Sequence, residues 1–139
     1  MWSARLLLIH LSLTTGGKRG FSLAGAQYLA DKYEYAAPEI PQARRRVFDI
    51  LGSLADLLEA HRAEGSPYIF GNELTALDIY TAAATAVLVP FPDDLCPLLP
   101  QVRAILSCFE AELDVAVPPV LLGHRDLVYR RHLELPIAL

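Results

Sequence analysis

The segment Ser66 to Tyr80, SPYIFGNELTALDIY, leaves this chain few ways to fold. Thr75 followed three residues later by Asp78 has the spacing of a capping box. As N-cap, Thr75 can accept from the backbone N–H of Asp78, and the Asp78 carboxylate can reach back to the N–H of Thr75. That carboxylate also sits at the positive end of the helix dipole. Leu74 just before the cap and Ile79 just inside it stand at the spacing of a hydrophobic staple, which fixes the angle of entry. Gly71-Asn72 supplies the turn leading in. Beyond the cap runs Thr81-Ala82-Ala83-Ala84-Thr85-Ala86-Val87-Leu88-Val89, small and uncharged on every side. A helix apolar all round belongs at the centre of a bundle. Thr81 and Thr85 are expected to bond back to carbonyls one turn earlier.

Helical punctuation continues in both directions. The N-terminal stretch Met1 to Leu13 predicts a core helix, stopped by Thr14-Thr15-Gly16-Gly17-Lys18-Arg19-Gly20. His10 interrupts its apolar run and no A-x-A-like site follows, which disfavours a secretory signal. Ser22 can cap a second helix with Leu23, Ala26, Ala30 and Tyr33 at helical spacing. Pro38 and Pro41 break it, and Pro41 suits the first turn of a third helix. There Val47, Ile50, Leu51, Leu54, Leu57 and Leu58 form one apolar stripe, with Arg45, Asp49, Asp56, Glu59 and Arg62 off it. Gly65-Ser66-Pro67 ends it. The capped helix stops before Pro90 and Pro92, a proline-rich loop runs to Pro100, and a fifth helix carries Val102, Ile105, Leu106, Phe109 and Leu113. Pro118-Pro119 and Gly123 set off a last short helix, Asp126 to Leu133. No alternating β-branched run proposes a strand. The expected fold class is all-α, a compact multi-helix bundle forming a single domain over residues 1–139.

Composition narrows the function classes. The chain has 139 residues, 53% of them hydrophobic, with two cysteines and a net charge of −4. This excludes a disordered chain and a disulfide-stapled scaffold. A pI near 5.5 argues against a nucleic-acid partner. No stretch has the 18 or so apolar residues of a membrane span. A reducing, cytoplasmic location is expected. The mean hydropathy of +0.31 suggests apolar surface hidden against a partner.

Motifs of chemistry fail one by one. His124-Arg125-Asp126-Leu127 copies the start of a kinase catalytic loop, but Arg131 stands where Asn is due and no Gly-rich loop accompanies it. Asp126 better suits a first helical turn. Gly16-Gly17-Lys18-Arg19 lacks the spacing of a phosphate loop. The four histidines show no zinc-site spacing with carboxylates and are expected to be satisfied or at the surface. Cys96 and Cys108 are expected to be buried, inert thiols. Arg44-Arg45-Arg46 and Arg130-Arg131-His132 are expected to be solvated faces. No catalytic, cofactor-binding or metal-ligating residue emerges.

Tyr68-Ile69-Phe70-Gly71-Asn72-Glu73-Leu74-Thr75-Ala76-Leu77-Asp78-Ile79 resembles the capped core helix of the glutathione transferase C-terminal domain. The long amphipathic helix before it and the Pro97-Leu98-Leu99 loop after it are similar to that family too. The resemblance implies a helical domain that supplies one wall of the substrate cleft, chiefly from its first helix, where Trp2, Arg5 and Ile9 are the candidate substrate residues. It implies attack of a glutathione thiolate on an apolar electrophile in the intact family. Glutathione as co-substrate, and the residue that stabilises its thiolate, belong there to a thioredoxin-like N-terminal domain. This chain shows no such βαβ pattern. It is therefore expected to hold no cofactor and to be inactive alone, with a thioredoxin-like domain or a second copy as partner. The alternative is a non-catalytic helical interaction or dimerisation module.

Overall fold

The computed structural model describes residues 2–137. They form six α-helices with no strand among the described residues: α1 (Trp2–Thr14), α2 (Leu23–Lys32), α3 (Ile40–Ala63), α4 (Ala76–Leu88), α5 (Pro100–Ala111) and α6 (Pro119–His132), with a 3-10 turn at Ala37–Glu39. The arrangement is an all-α bundle in which α1 packs on α2 and α3, α4 packs on α5 and α6, and α6 also meets α3.

The N-terminal apolar stretch is a core helix, with Leu7, Leu8, Ile9 and Ser12 buried. Ser12 does more than pack. Its hydroxyl donates to the Leu8 carbonyl at 2.6 Å and accepts from the Phe21 N–H at 2.8 Å, so it ties the following loop to the helix. That loop closes tightly. A Cβ on Gly17 (φ +76°) would lie 2.4 Å from the Leu23 nitrogen, and one on Gly20 (φ +72°) 2.4 Å from the Ser12 hydroxyl. Ser22 then caps α2, accepting from the Gly25 N–H at 3.2 Å.

Three expectations need correction. The stripe on α3 is rotated: Val47, Leu51 and Leu58 are buried with Ala43 and Ala55, while Ile50 is 53% and Leu57 45% exposed. Ala43 and Ala55 take the core places expected of the larger Ile50 and Leu57. Secondly, α6 is not short. Pro118 and Pro119 are its N-cap and first residue, where a missing N–H costs nothing. Gly123 and Asp126 therefore lie within it, and Asp126 pairs with the Arg125 guanidinium at 2.7 Å and is not in the first turn. Finally, α4 is not enclosed on every side. It buries Asp78, Thr81, Ala82, Thr85 and Leu88, but Tyr80 is 74% and Leu77 41% exposed. Its apolar character on one flank is unmatched by any packed helix.

Two arginines organise the proline-rich connection from α4 to α5. Arg103 donates to the carbonyls of Phe91 and Cys96 at 3.1 and 2.8 Å and pairs with Asp93 at 2.6 Å. Arg125 donates to the Val89 carbonyl and lies 4.1 Å from the centroid of the Phe91 ring. Cys96 and Cys108 are buried and free, as expected. No helix among the described residues is long and apolar enough to cross a membrane.

Candidate functional site

Two features stand out: a buried polar centre at the start of α4, and an apolar cleft on its open flank. The polar centre is Asp78, with no solvent exposure. Thr75 has the extended backbone of an N-cap, and the two-way capping box is in place. Its short bonds all end on the carboxylate. Oδ2 accepts from the Thr75 N–H at 2.8 Å and from the Thr75 hydroxyl at 2.7 Å. Oδ1 accepts from the Ile69 N–H at 2.8 Å. Leu74 and Ile79, the expected staple pair, are both half-buried beside it.

His124 of α6 completes the centre, its Nε2 3.1 Å from Asp78 Oδ1. It is buried, with Asp78 and the Pro67 carbonyl as its polar neighbours. The ring is fully buried, and neither nitrogen makes a well-aligned hydrogen bond among the described residues. Burial lowers its pKa from the ordinary 6.5, and the nearby Arg62 lowers it further. These outweigh the opposing pull of Asp78 and the Pro67 carbonyl. For Asp78, burial pushes the carboxyl up, but the Ile69 and Thr75 donors together with the imidazole hold it below its ordinary 3.8. The state consistent with both is a carboxylate facing a neutral imidazole. A neutral ring enclosed by helices can lock a fold, but it has no route to a substrate. The centre is structural.

The cleft has the shape of a ligand site. It lies where α1, α3 and α4 diverge, holds about 300 Å³, and is walled by Trp2 from α1, Ile50 and Leu54 from α3, and Thr81, Ala84 and Leu88 from α4. Of the three residues expected to face substrate, only Trp2 lines it. Arg5 instead reaches the Tyr33 hydroxyl at 3.4 Å and lies over that ring at 5.6 Å, with Trp2 meeting Tyr33 edge to face at 4.6 Å. Ile9 is fully enclosed in the core. The α3 and α4 residues of the cleft are ones that the sequence assigns to the core, because an unpartnered apolar flank and a packed one have the same periodicity.

Thr81 and Thr85 form part of the cleft floor at 4% and 1% exposure. The expected back-bonds are not among the side-chain hydrogen bonds of the described residues, although Ser12, Thr14 and Thr15 on α1 make theirs. Among the described residues Arg46 is the one charged side chain in the lining. Among the described residues no group of three or more His, Cys, Asp or Glu side chains could hold a metal ion. Comparison with protein families, curated proteins and solved structures gives no match.

Proposed function

We propose that this chain is the helical, substrate-side domain of a glutathione transferase-like protein. It would supply an apolar wall while a thioredoxin-like domain supplies the thiol. The observation that supports this most is the cleft, apolar on three helices and bounded by Trp2 of the first one. The Tyr68–Ile79 motif, with its capping box formed and Asp78 buried, supports the family resemblance. On this proposal the chain alone binds apolar compounds and conjugates nothing. The thiolate in such a reaction needs a donor that lowers its pKa, and the resemblance assigns that role to the thioredoxin-like domain.

Trp2 is the chain's single tryptophan, so its indole N–H gives one resolved nitrogen–proton signal. Titration with 2-naphthol should shift that signal saturably, while calorimetry with glutathione should give no saturable micromolar heat. An unmoved indole signal would sink the substrate-side role. Saturable glutathione heat would show a thiol site in this chain and overturn the division of labour.

A second reading, a dimerisation or interaction module, is favoured by the exposed Ile50, Leu57, Leu77 and Tyr80 on α3 and α4. Sedimentation across a hundredfold range of concentration decides it. A rising mass supports the module, and a constant monomer mass removes it.

A further inference from the structure

We infer that the cleft between α1, α3 and α4 selects an apolar carboxylate, an aromatic acid of about two fused rings, with Arg46 taking its charge. The inference rests on the cleft being a ligand wall, as proposed above, and adds which ligands it prefers. Three observations carry it. The first is size: about 300 Å³ lies at the lower end of the roughly 300–1,000 Å³ of small-molecule sites, which suits a bicyclic body but not a large one.

The second is charge. Among the described residues Arg46 is the only charged one in the lining and takes part in no ion pair, whereas its neighbour Arg44 reaches Asp114 at 3.9 Å. Glu39 shares a smaller hollow with Arg46 but forms no ion pair with it. Arg46 lines the cleft from an exposed position, and a guanidinium offers a planar fork matched to a carboxylate. The walls beside it would lower the local dielectric once a ligand covers them. An amine would meet this cation unfavourably, and a neutral alcohol would leave it unused.

The third is the floor. Thr81 and Thr85 are more than nine-tenths buried, line the cleft, and have no hydrogen bond among the described side chains. A purely hydrocarbon ligand would cover both hydroxyls and leave them unpaired, at a cost. A ligand with a hydroxyl or carbonyl on its inner end would satisfy them. The favoured occupant therefore has polarity at two ends: carboxylate outward at Arg46, and a hydrogen-bonding group inward at Thr81 and Thr85.

Three probes separate these contributions: 2-naphthol, 2-naphthoate and 6-hydroxy-2-naphthoate, each titrated into the full chain and followed at the Trp2 indole signal. Naphthoate should bind about fivefold tighter than naphthol in low salt, and the margin should narrow in 0.5 M sodium chloride. Arg46→Gln, at an exposed position, should bring the two affinities together. Thr85→Val keeps the shape of the side chain. It should remove the further gain, about threefold, that the 6-hydroxyl gives over plain naphthoate. Equal affinity for naphthol and naphthoate, or a preference that survives Arg46→Gln, would overturn the selection of acids while leaving the cleft as an apolar wall. Failure of all three probes to shift the indole would overturn both the selection and the ligand-wall role.

Discussion

Replacing Asp78 by Asn tests whether the polar centre is only a helix cap or a clamp on the whole bundle. The substitution keeps size and shape but leaves one acceptor oxygen where there were two. If that oxygen keeps the two Thr75 bonds, the amide NH2 faces the Ile69 N–H, donor against donor, and the His124 ring loses its charged partner. Hydrogen bonds to a charged acceptor are each worth about 1.5–3 kcal/mol, and a buried donor left unpaired costs about 1–3 kcal/mol. We therefore expect about 4 kcal/mol of destabilisation from Asp78→Asn, a large part of the roughly 5–15 kcal/mol of a typical domain. Thr75→Ala removes one hydroxyl from a half-buried position and should cost about 1 kcal/mol. Urea unfolding followed by helical circular dichroism reads both. At an m-value of about 2 kcal/mol per molar, the midpoint falls by roughly 2 M for Asp78→Asn and about 0.5 M for Thr75→Ala. Equal losses would refute the clamp and reduce Asp78 to an ordinary cap residue.

The same centre sets a pH dependence. His124 titrates below its ordinary 6.5 in the folded chain, so the unfolded state takes up the proton first and stability falls as pH drops below about 6.5. Asp78, held below 3.8, contributes stability that is present above about 4 and lost on further acidification through its folded pKa. Unfolding midpoints measured from pH 7.5 down to about pH 2 should fall in two stages, and His124→Asn should flatten the first; an unchanged first stage would place its origin elsewhere. In the α1–α2 loop, Gly17→Ala forces a Cβ onto the Leu23 backbone at positive φ and should cost about 3 kcal/mol. Gly16→Ala, with nothing within 4 Å, should cost only the left-handed backbone penalty of about 1–2 kcal/mol. Thermal midpoints of the two variants compare them directly, and equal losses would show that the close approach at Gly17 can relax.

Local chemistry was legible in the sequence wherever both partners lie within a few residues. The Ser22 cap, the Thr75–Asp78 box and the stop at Gly65 all follow from spacings of three or four positions. What spacing could not show is which distant group meets a side chain. The Ile69 N–H is nine residues from Asp78, His124 is on another helix, and Arg103 and Arg125 bond to carbonyls of a loop. Periodicity also cannot tell a covered apolar flank from an open one. Ile50 and Leu54 on α3 and Ala84 on α4 therefore read as core, although they border the cleft. Pro118-Pro119 misled for a related reason, since the residue that ends one helix is equally suited to begin the next. Arg46 sits in a run of three arginines, and no pattern distinguishes the one that a cleft has recruited.

The Ile69 amide has a consequence for how the molecule breathes. It belongs to an irregular segment, which in most proteins trades its hydrogens with solvent in small local openings. Here its acceptor is the carboxylate that also secures the first turn of α4 and faces α6, so releasing it means prising those helices apart. The Ile69 amide is therefore expected to exchange with the cooperative unit that holds α4 to α6, although it belongs to no helix.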